Sequence, residues 1–368
     1  MSGTSMDAID TALVNIGSGS IELLAYQQFP FADEVRSTVR TLSGASSLDE
    51  VMHMDVVLGR LLAEAVLNIL RQTGRTPQHI RAIGSHGQTV LHHPGNAVPR
   101  TLQIGDASII AYRTGITTVA DFRRADLAAG GEGAPLAPAL HAQYFRSNRV
   151  DRVILNIGGI ANITLLPAAR DAGVTGFDTG PGNGLLDDWN RRHRGTSMDR
   201  DGAWAASGKV DQSLLSLLLT DPYFSKAPPK STGRDYFNLG WLDGTLGKYA
   251  LPLGAEDVQA TLAMLTARNI ADAIKQYAPS TGEIFVCGGG MHNPHLMQVL
   301  GSCLPGGSIA TTEVLGIQPD AVEAVTFAWL AHCRMEQVPG NLPSVTGAER
   351  PVILGAIYES SNKRKVAS

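Results

Sequence analysis

Ile9–Ile16 and Ile21–Tyr26 are apolar, strand-like runs, and Gly17-Ser18-Gly19 lies between them. This pattern predicts a β-hairpin. From Ser47 to Gly74 the period changes: Val56, Val57, Arg60, Leu61, Glu64 and Ala65 place apolar and polar groups at helical spacing. Gly74 and Pro77 end that helix. Arg81–Gly84 and Thr117–Ala120 are short buried strands. Ser85-His86-Gly87-Gln88-Thr89 follows the first and Asp121-Phe122-Arg123-Arg124 the second. A loop rich in glycine, alanine and proline covers Ala128–Pro138. Val153–Ile157, then Gly158-Gly159, then Ile160–Leu166 predicts a tight hairpin. Leu185–Arg192 starts a helix. Residues 257–277 form a long one, with Val258, Leu262, Leu265 and Ile270 on one face. Ile284–Cys287 is a strand that ends in Gly288-Gly289-Gly290. Asn293-Pro294 supplies an N-cap and a first-turn proline for the next helix. A helix at Ala321–His332 and a strand-like Val352–Ile357 close the chain, and Ser360–Ser368 is expected to be disordered. Hairpins mixed with strand–helix–strand units indicate an α/β protein with mixed sheets.

At 368 residues the chain exceeds one hydrophobic core, so two lobes are expected. Thirty-four acidic against 30 basic residues leave no basic field for a nucleic-acid backbone. No apolar stretch is long enough to span a membrane. The opening residues Met-Ser-Gly-Thr-Ser-Met-Asp lack the basic start and apolar run expected of a signal peptide, and three cysteines make no disulfide framework. These features fit a soluble cytoplasmic protein. Glycine is the outlier, with 40 residues against an average of about 7%.

The glycines cluster in turns where backbone can approach a ligand closely. Ser2-Gly3-Thr4-Ser5-Met6-Asp7 precedes a strand and can offer N–H groups and hydroxyls to phosphate oxygens. Gly158-Gly159, with Asn156 and Asn162, forms a second such turn, and Gly288-Gly289-Gly290 a third. Ordinary structural turns are the alternative. There is no Walker loop and no dinucleotide fingerprint. Asp178 sits among glycines in Gly176-Phe177-Asp178-Thr179-Gly180-Pro181-Gly182-Asn183-Gly184. An accessible carboxylate there suits general-base work, and a turn-capping Asp is the alternative. Asp-Thr-Gly also occurs in aspartic proteases, but that chemistry needs a second copy, which this sequence lacks. His92-His93 and His292/His295 have no partners at zinc-ligand spacing, so no resident metal site is expected.

Together GSHGQT, VADFR, FDTGPGN, DGAWA and KSTGR resemble the anhydro-N-acetylmuramic acid kinases, sugar kinases of the actin-like ATPase superfamily. The matching stretches run in order from Ser2–Asp10 to Phe327–His332. The resemblance implies a two-lobed actin-like ATPase (sugar kinase) fold with mixed sheets and a central cleft. Its N-terminal lobe would be 1–125, joined by 340–358. The second lobe would be 126–339, and 359–368 a disordered tail. It implies ATP and Mg²⁺, and 1,6-anhydro-N-acetylmuramic acid as substrate. Water opens the anhydro bond and the freed oxygen at carbon 6 takes a phosphoryl group. By the same resemblance Asp178 activates the water. The first phosphate loop is Ser2, Gly3, Thr4, Ser5, Met6, Asp7, Ala8 and Ile9. Gly158 and Gly159 form the second phosphate hairpin, and Gly288, Gly289 and Gly290 contact adenosine. Ser85, His86, Gln88, Thr89, Arg123, Arg124 and Glu323 are candidates for the sugar. An arginine there could hold the sugar's lactyl carboxylate. Arg123 or Arg124 could instead pair with Asp121 or Asp126. A homodimer is also implied. In the family an apolar strand precedes the first phosphate loop. Here the chain starts at the loop, so the first lobe is expected to lack that strand and to expose sheet edges. Ala8 stands where the family has glycine; a left-handed backbone there would cost about 1 kcal/mol.

Overall fold

The computed structural model describes residues 1, 8–17, 19–42, 45–169, 171–249 and 252–360. The loop Ser2–Asp7 and the tail from residue 361 lie outside them. The described residues fall into two units, Met1–Tyr144 with Ala321–Ser368, and Phe145–Asp320. These boundaries differ from the expected 125/126 and 339/340.

In the first unit the predicted hairpin is β1 (Ala8–Gly17) and β2 (Ser20–Pro30), an antiparallel pair. Ala8 lies in β1, paired with Pro30 in the antiparallel ladder. Helix α1 (Asp33–Thr41) follows, then α2 (Leu48–Gln72). Ser47 and Glu50 close a capping box at the start of α2, which fixes where that helix begins. The strand predicted at Arg81–Gly84 is only β3 (Ile83–Gly84). Next come β4 (Gln88–His93), β5 (Arg100–Ile104), α3 (Ala107–Thr114), β6 (Thr118–Ala120), α4 (Arg124–Ala128) and α5 (Ala137–Tyr144). Helices α4 and α5 occupy ends of the segment that reads as a loop in sequence. Its Ala-rich composition is helix-compatible, but Gly130–Gly133 and the prolines mask it.

In the second unit β7 (Arg152–Ile157) and β8 (Ile160–Leu166) make the expected two-glycine hairpin. Next are β9 (Thr175–Pro181), α6 (Asn183–Arg194), α7 (Ala203–Ser207), α8 (Gln212–Leu218), α9 (Pro222–Ser225) and α10 (Leu239–Leu246). Then follow α11 (Ala255–Tyr277), β10 (Glu283–Cys287), α12 (Pro294–Cys303) and β11 (Ser308–Thr311). Asn293 caps α12 through the Leu296 N–H at 2.9 Å, as its sequence implied. The strands form one mixed sheet in the order β11-β10-β7-β8-β9. Its parallel half carries Val153, Leu155, Ile284 and Val286. These residues pack on Ile270 and Ile274 of α11 and on Leu296 and Leu300 of α12. Leu185, Trp189, Leu214 and Leu242 join the other stretch of α11 in a helical core.

The chain returns to the first unit with α13 (Val322–Glu336), α14 (Pro343–Thr346) and β12 (Ala356–Tyr358). Helix α13 packs on β1, β3 and α5, which places residues 322–336 here rather than in the second lobe. Strand β12 pairs antiparallel with β6, and β3 pairs parallel with β6. Asp126 binds this return segment: fully buried, it accepts from Asn341 Nδ2 at 2.7 Å, Thr346 Oγ1 at 2.8 Å and the Gly133 N–H at 2.7 Å. A cavity of about 330 Å³ lies along β1, between it and residues 80–85, under α2 and α13. No described helix is long and apolar enough to cross a membrane.

Candidate active site

Asp178 is on a strand, not on the turn that its glycine neighbours suggest. Strand β9 pairs with β8, Asn162 facing Asp178 and Ala161 facing Gly180. Thr179 is therefore an extra residue, a β-bulge beside the carboxylate. Such a bulge re-aims neighbouring side chains, and here its own hydroxyl is tied to the Ala161 carbonyl at 3.3 Å. The segment after α8 closes around Asp178 from its other side. The Asp178 N–H donates to the Lys230 carbonyl at 3.3 Å. Tyr223 Oη donates to the Asp178 carbonyl at 2.7 Å, and the Thr232 N–H donates to Asp178 Oδ2 at 3.0 Å. The backbone and one carboxylate oxygen are thus both fixed. Tyr223 is buried, and burial together with the Asp178 charge raises its pKa, so its hydroxyl stays a donor. Its ring packs edge-on against Phe237, which packs on Trp241. Tyr223, Lys230 and Thr232 are 45 to 54 residues from Asp178 in sequence, and nothing in one sequence pairs them.

Three glycine turns meet at the end of β7 and β10. Amides of Gly182 and Gly184 donate to the Gly159 carbonyl at 3.0 and 3.1 Å, and the Asn183 amide to the Gly158 carbonyl at 2.8 Å. The first turn of α6 is thereby sewn to the β7–β8 hairpin. A Cβ at Gly182 would collide with the Gly158 carbonyl, so packing alone demands glycine there. Gly288 has φ +80°, and a Cβ would strike Asn156 Oδ1. Gly158 and Gly289 differ. An added Cβ would come no nearer than 3.5 and 4.0 Å to any atom, so packing does not require glycine at either position. Gly290 packs on Ile157.

In the first unit, Ser85, His86 and Gln88 are buried. Among the described residues the Ser85 hydroxyl and Gln88 Oε1 have no hydrogen-bond partner. His86 Nδ1 lies 3.0 Å from the Gly87 carbonyl, and Arg123 Nε donates to His86 Nε2 at 3.1 Å. This fixes the Nδ1–H tautomer. Burial first, and Arg123 second, push the His86 pKa well down, so the ring is neutral. Arg123 Nη1 also donates to the Gly133 carbonyl at 2.8 Å, and burial lowers its pKa to about 10. Arg123 therefore supports His86 and makes neither of the two expected ion pairs. Arg124 does pair with Asp121, at 3.2 Å. Thr89 Oγ1 accepts from Gln103 at 3.2 Å. A cavity of about 430 Å³ is lined by Ser85, His86, Asp55, Asp121, Arg124 and Tyr358 among others. Glu323 is in the first turn of α13. Part of the residue is exposed, but desolvation of its carboxyl, then the Asp10 charge, raises its pKa against the pull of Arg123. Ile9 is buried in the core with Leu58 and Leu62, so its side chain faces apolar neighbours.

A family model described as anhydro-N-acetylmuramic acid kinase matches residues 1–360. The anhydro-N-acetylmuramic acid kinase of Coxiella burnetii (strain RSA 493 / Nine Mile phase I) is 50% identical over 361 residues, covering 97% of this chain and 96% of that one. That of Photobacterium profundum is 49% identical over 370 aligned positions, covering 98% of each. A solved structure, the activator of the 2-hydroxyisocaproyl-CoA dehydratase from Clostridium difficile with bound ADPNP, is 13% identical. It covers 89% of this chain and 98% of that one, with a TM-score of 0.37. With half of all positions shared across nearly the full length of such relatives, this chain belongs to the anhydro-N-acetylmuramic acid kinase family.

Proposed function

We propose that this chain is an ATP-dependent kinase acting on 1,6-anhydro-N-acetylmuramic acid in the cytoplasm, as a homodimer, during peptidoglycan recycling. Asp178 takes a proton from water, whose oxygen attacks carbon 1. The bond from carbon 1 to the bridging oxygen breaks. That oxygen, still on carbon 6, takes the γ-phosphoryl of ATP, and ADP leaves. The products are N-acetylmuramic acid 6-phosphate and ADP.

The observation that carries this reading is the fixation of Asp178. A general base works best when its carboxylate is held in one orientation. Here the β9 bulge, the Tyr223 hydroxyl and the Thr232 amide supply that restraint. The nucleotide is assigned to the glycine turns, Gly158-Gly159 and Gly288–Gly290, together with the loop Ser2–Asp7 and its continuation Ala8 and Ile9. Gly158 and Gly289 support this: their missing side chains leave space that the protein's own packing does not fill. Mg²⁺ would come with the nucleotide, whose phosphate oxygens and water supply most of its ligands, and would neutralise charge on the transferring group. On the sugar side, the buried Ser85 hydroxyl and Gln88 carbonyl oxygen are suited to sugar hydroxyls. Neutral His86 is held in register by Arg123, and Thr89, Arg124 and Glu323 complete the candidate set.

The test is Asp178→Asn. Turnover should fall at least about 1,000-fold, the scale of a lost general base, while ATP affinity stays within about threefold. Product formation near the parent rate would remove Asp178 from the role.

A further inference from the structure

Lys226 and Lys230 differ from Arg191, Arg192 and Arg234 around the sheet end of the second unit. The Lys226 ammonium is 5.9 Å from the centroid of the Tyr223 ring, but Lys226 is exposed, whereas Lys230 is half-buried. Arg191 and Arg234 are tied to Asp188 at 2.8 and 2.7 Å, and Arg192 to Asp243 at 2.6 Å. Lys230 takes part in none of the ion pairs among the described residues. Its ammonium instead lies 4.8 Å from the centroid of the Tyr223 ring and 5.8 Å from that of Phe177. Its hydrogen bonds run to the main-chain carbonyls of Tyr223 and Phe224 and are long, 3.3 and 3.4 Å. The side chain is half-buried. Burial lowers its pKa, Lys226 adds to this, and the nearby Asp178 charge opposes both.

An ammonium in this setting is incompletely compensated. The aromatic rings hold it electrostatically, but among the described residues it forms no direct ion pair that would neutralise it. Lys230 also shares its backbone with the restraint on Asp178, because its own carbonyl accepts the Asp178 amide. The main chain of Lys230 is thereby tied to the proposed base, and the Asp178 charge reaches its ammonium.

We propose that Lys230 is the anion-binding residue of the Asp178 site, its ammonium taking a carboxylate or phosphoryl oxygen of the bound ligand. The inference rests on the functional reading above and deepens it. That reading offers two anions, the lactyl carboxylate of the sugar and the γ-phosphoryl group of ATP. A compact point charge on a flexible stem suits either.

Titration calorimetry separates the two. It would use 1,6-anhydro-N-acetylmuramic acid, its counterpart 1,6-anhydro-N-acetylglucosamine that lacks the lactyl group, and a non-hydrolysable ATP analogue. If the carboxylate is the ligand, Lys230→Met lowers the affinity ratio of the first sugar over the second at least tenfold. Lys230→Arg then restores the ratio to within about threefold. If the phosphoryl group is the ligand, Lys230→Met weakens the ATP analogue at least tenfold and leaves the sugar ratio alone. Both quantities staying within twofold of the parent would overturn the role of Lys230. Lys230→Gln serves the same comparison should the methionine variant misfold. Failure of the parent chain to form a phosphorylated sugar at all would instead overturn the functional reading, and this inference with it.

Discussion

Asp178 can be singled out from its own neighbours in the sequence, but the groups that hold it cannot. The motif FDTGPG carries a carboxylate among glycines, which is legible in one line of sequence. Its partners come from Tyr223, Lys230 and Thr232, and only the folded chain brings them together. Tyr223→Phe isolates one of them. It keeps the ring over Lys230 and removes the hydroxyl from the Asp178 carbonyl. The expected result is a fall in kcat of about tenfold, the energy of one hydrogen bond, with the KM for ATP unchanged. A kcat equal to the parent's would mean that the backbone of Asp178 needs no such restraint. The arginines illustrate the reverse difficulty. Arg123 and Arg124 are adjacent, and nothing in the sequence separates their roles. The structure gives Arg124 the structural ion pair and makes Arg123 the support of His86.

Elements with strong periodicity are legible: the hairpins 8–30 and 152–166, α2 and α11, and the capped start of α12. Short elements without periodicity are not. Strand β9 is dense in glycine and proline and reads as a turn, yet the ladder with β8 holds it extended on both sides of its bulge. Helices α4 and α5 are hidden in the same way. The glycine turns yield a contrast at this scale. Gly288→Ala should cost about 2 kcal/mol in urea unfolding, because alanine is strained at φ +80° and its methyl meets Asn156. Gly289→Ala meets nothing within 4.0 Å besides Asn183. It should leave stability within about 0.5 kcal/mol and raise the KM for ATP about tenfold. Equal effects of the two substitutions on stability would contradict the distinction between a packing glycine and a ligand glycine.

For the molecule as a whole, two units and mixed sheets follow from length and from the mix of hairpins and crossovers. The segment that returns to the first unit depends on tertiary contacts: Asp126 with Asn341 and Thr346, and α13 on β1 and β3. The first unit also carries a pH dependence. Burial holds the pKa of His92 down to about 4, that of His141 down to about 3, and that of His86 low as well. Unfolded imidazoles titrate near 6.5. Below that pH the unfolded chain takes up protons that the folded chain refuses, so this stability is complete above about 6.5 and is lost as pH falls toward 4. Asp55, Asp121, Glu132 and Glu323, raised by burial, act in the opposite sense between their unfolded values and their raised ones. The two large histidine shifts dominate, and the denaturation midpoint should drop from pH 7 to pH 5. His141→Gln should flatten that slope; an unchanged slope would show that His141 does not titrate with unfolding. The central claim is that one site couples opening of the anhydro ring by water to phosphoryl transfer. It is tested most directly by mass spectrometry of the sugar after incubation with MgATP in ¹⁸O-labelled water. The account predicts a product carrying both one phosphate and one ¹⁸O. A phosphorylated product without ¹⁸O would contradict it.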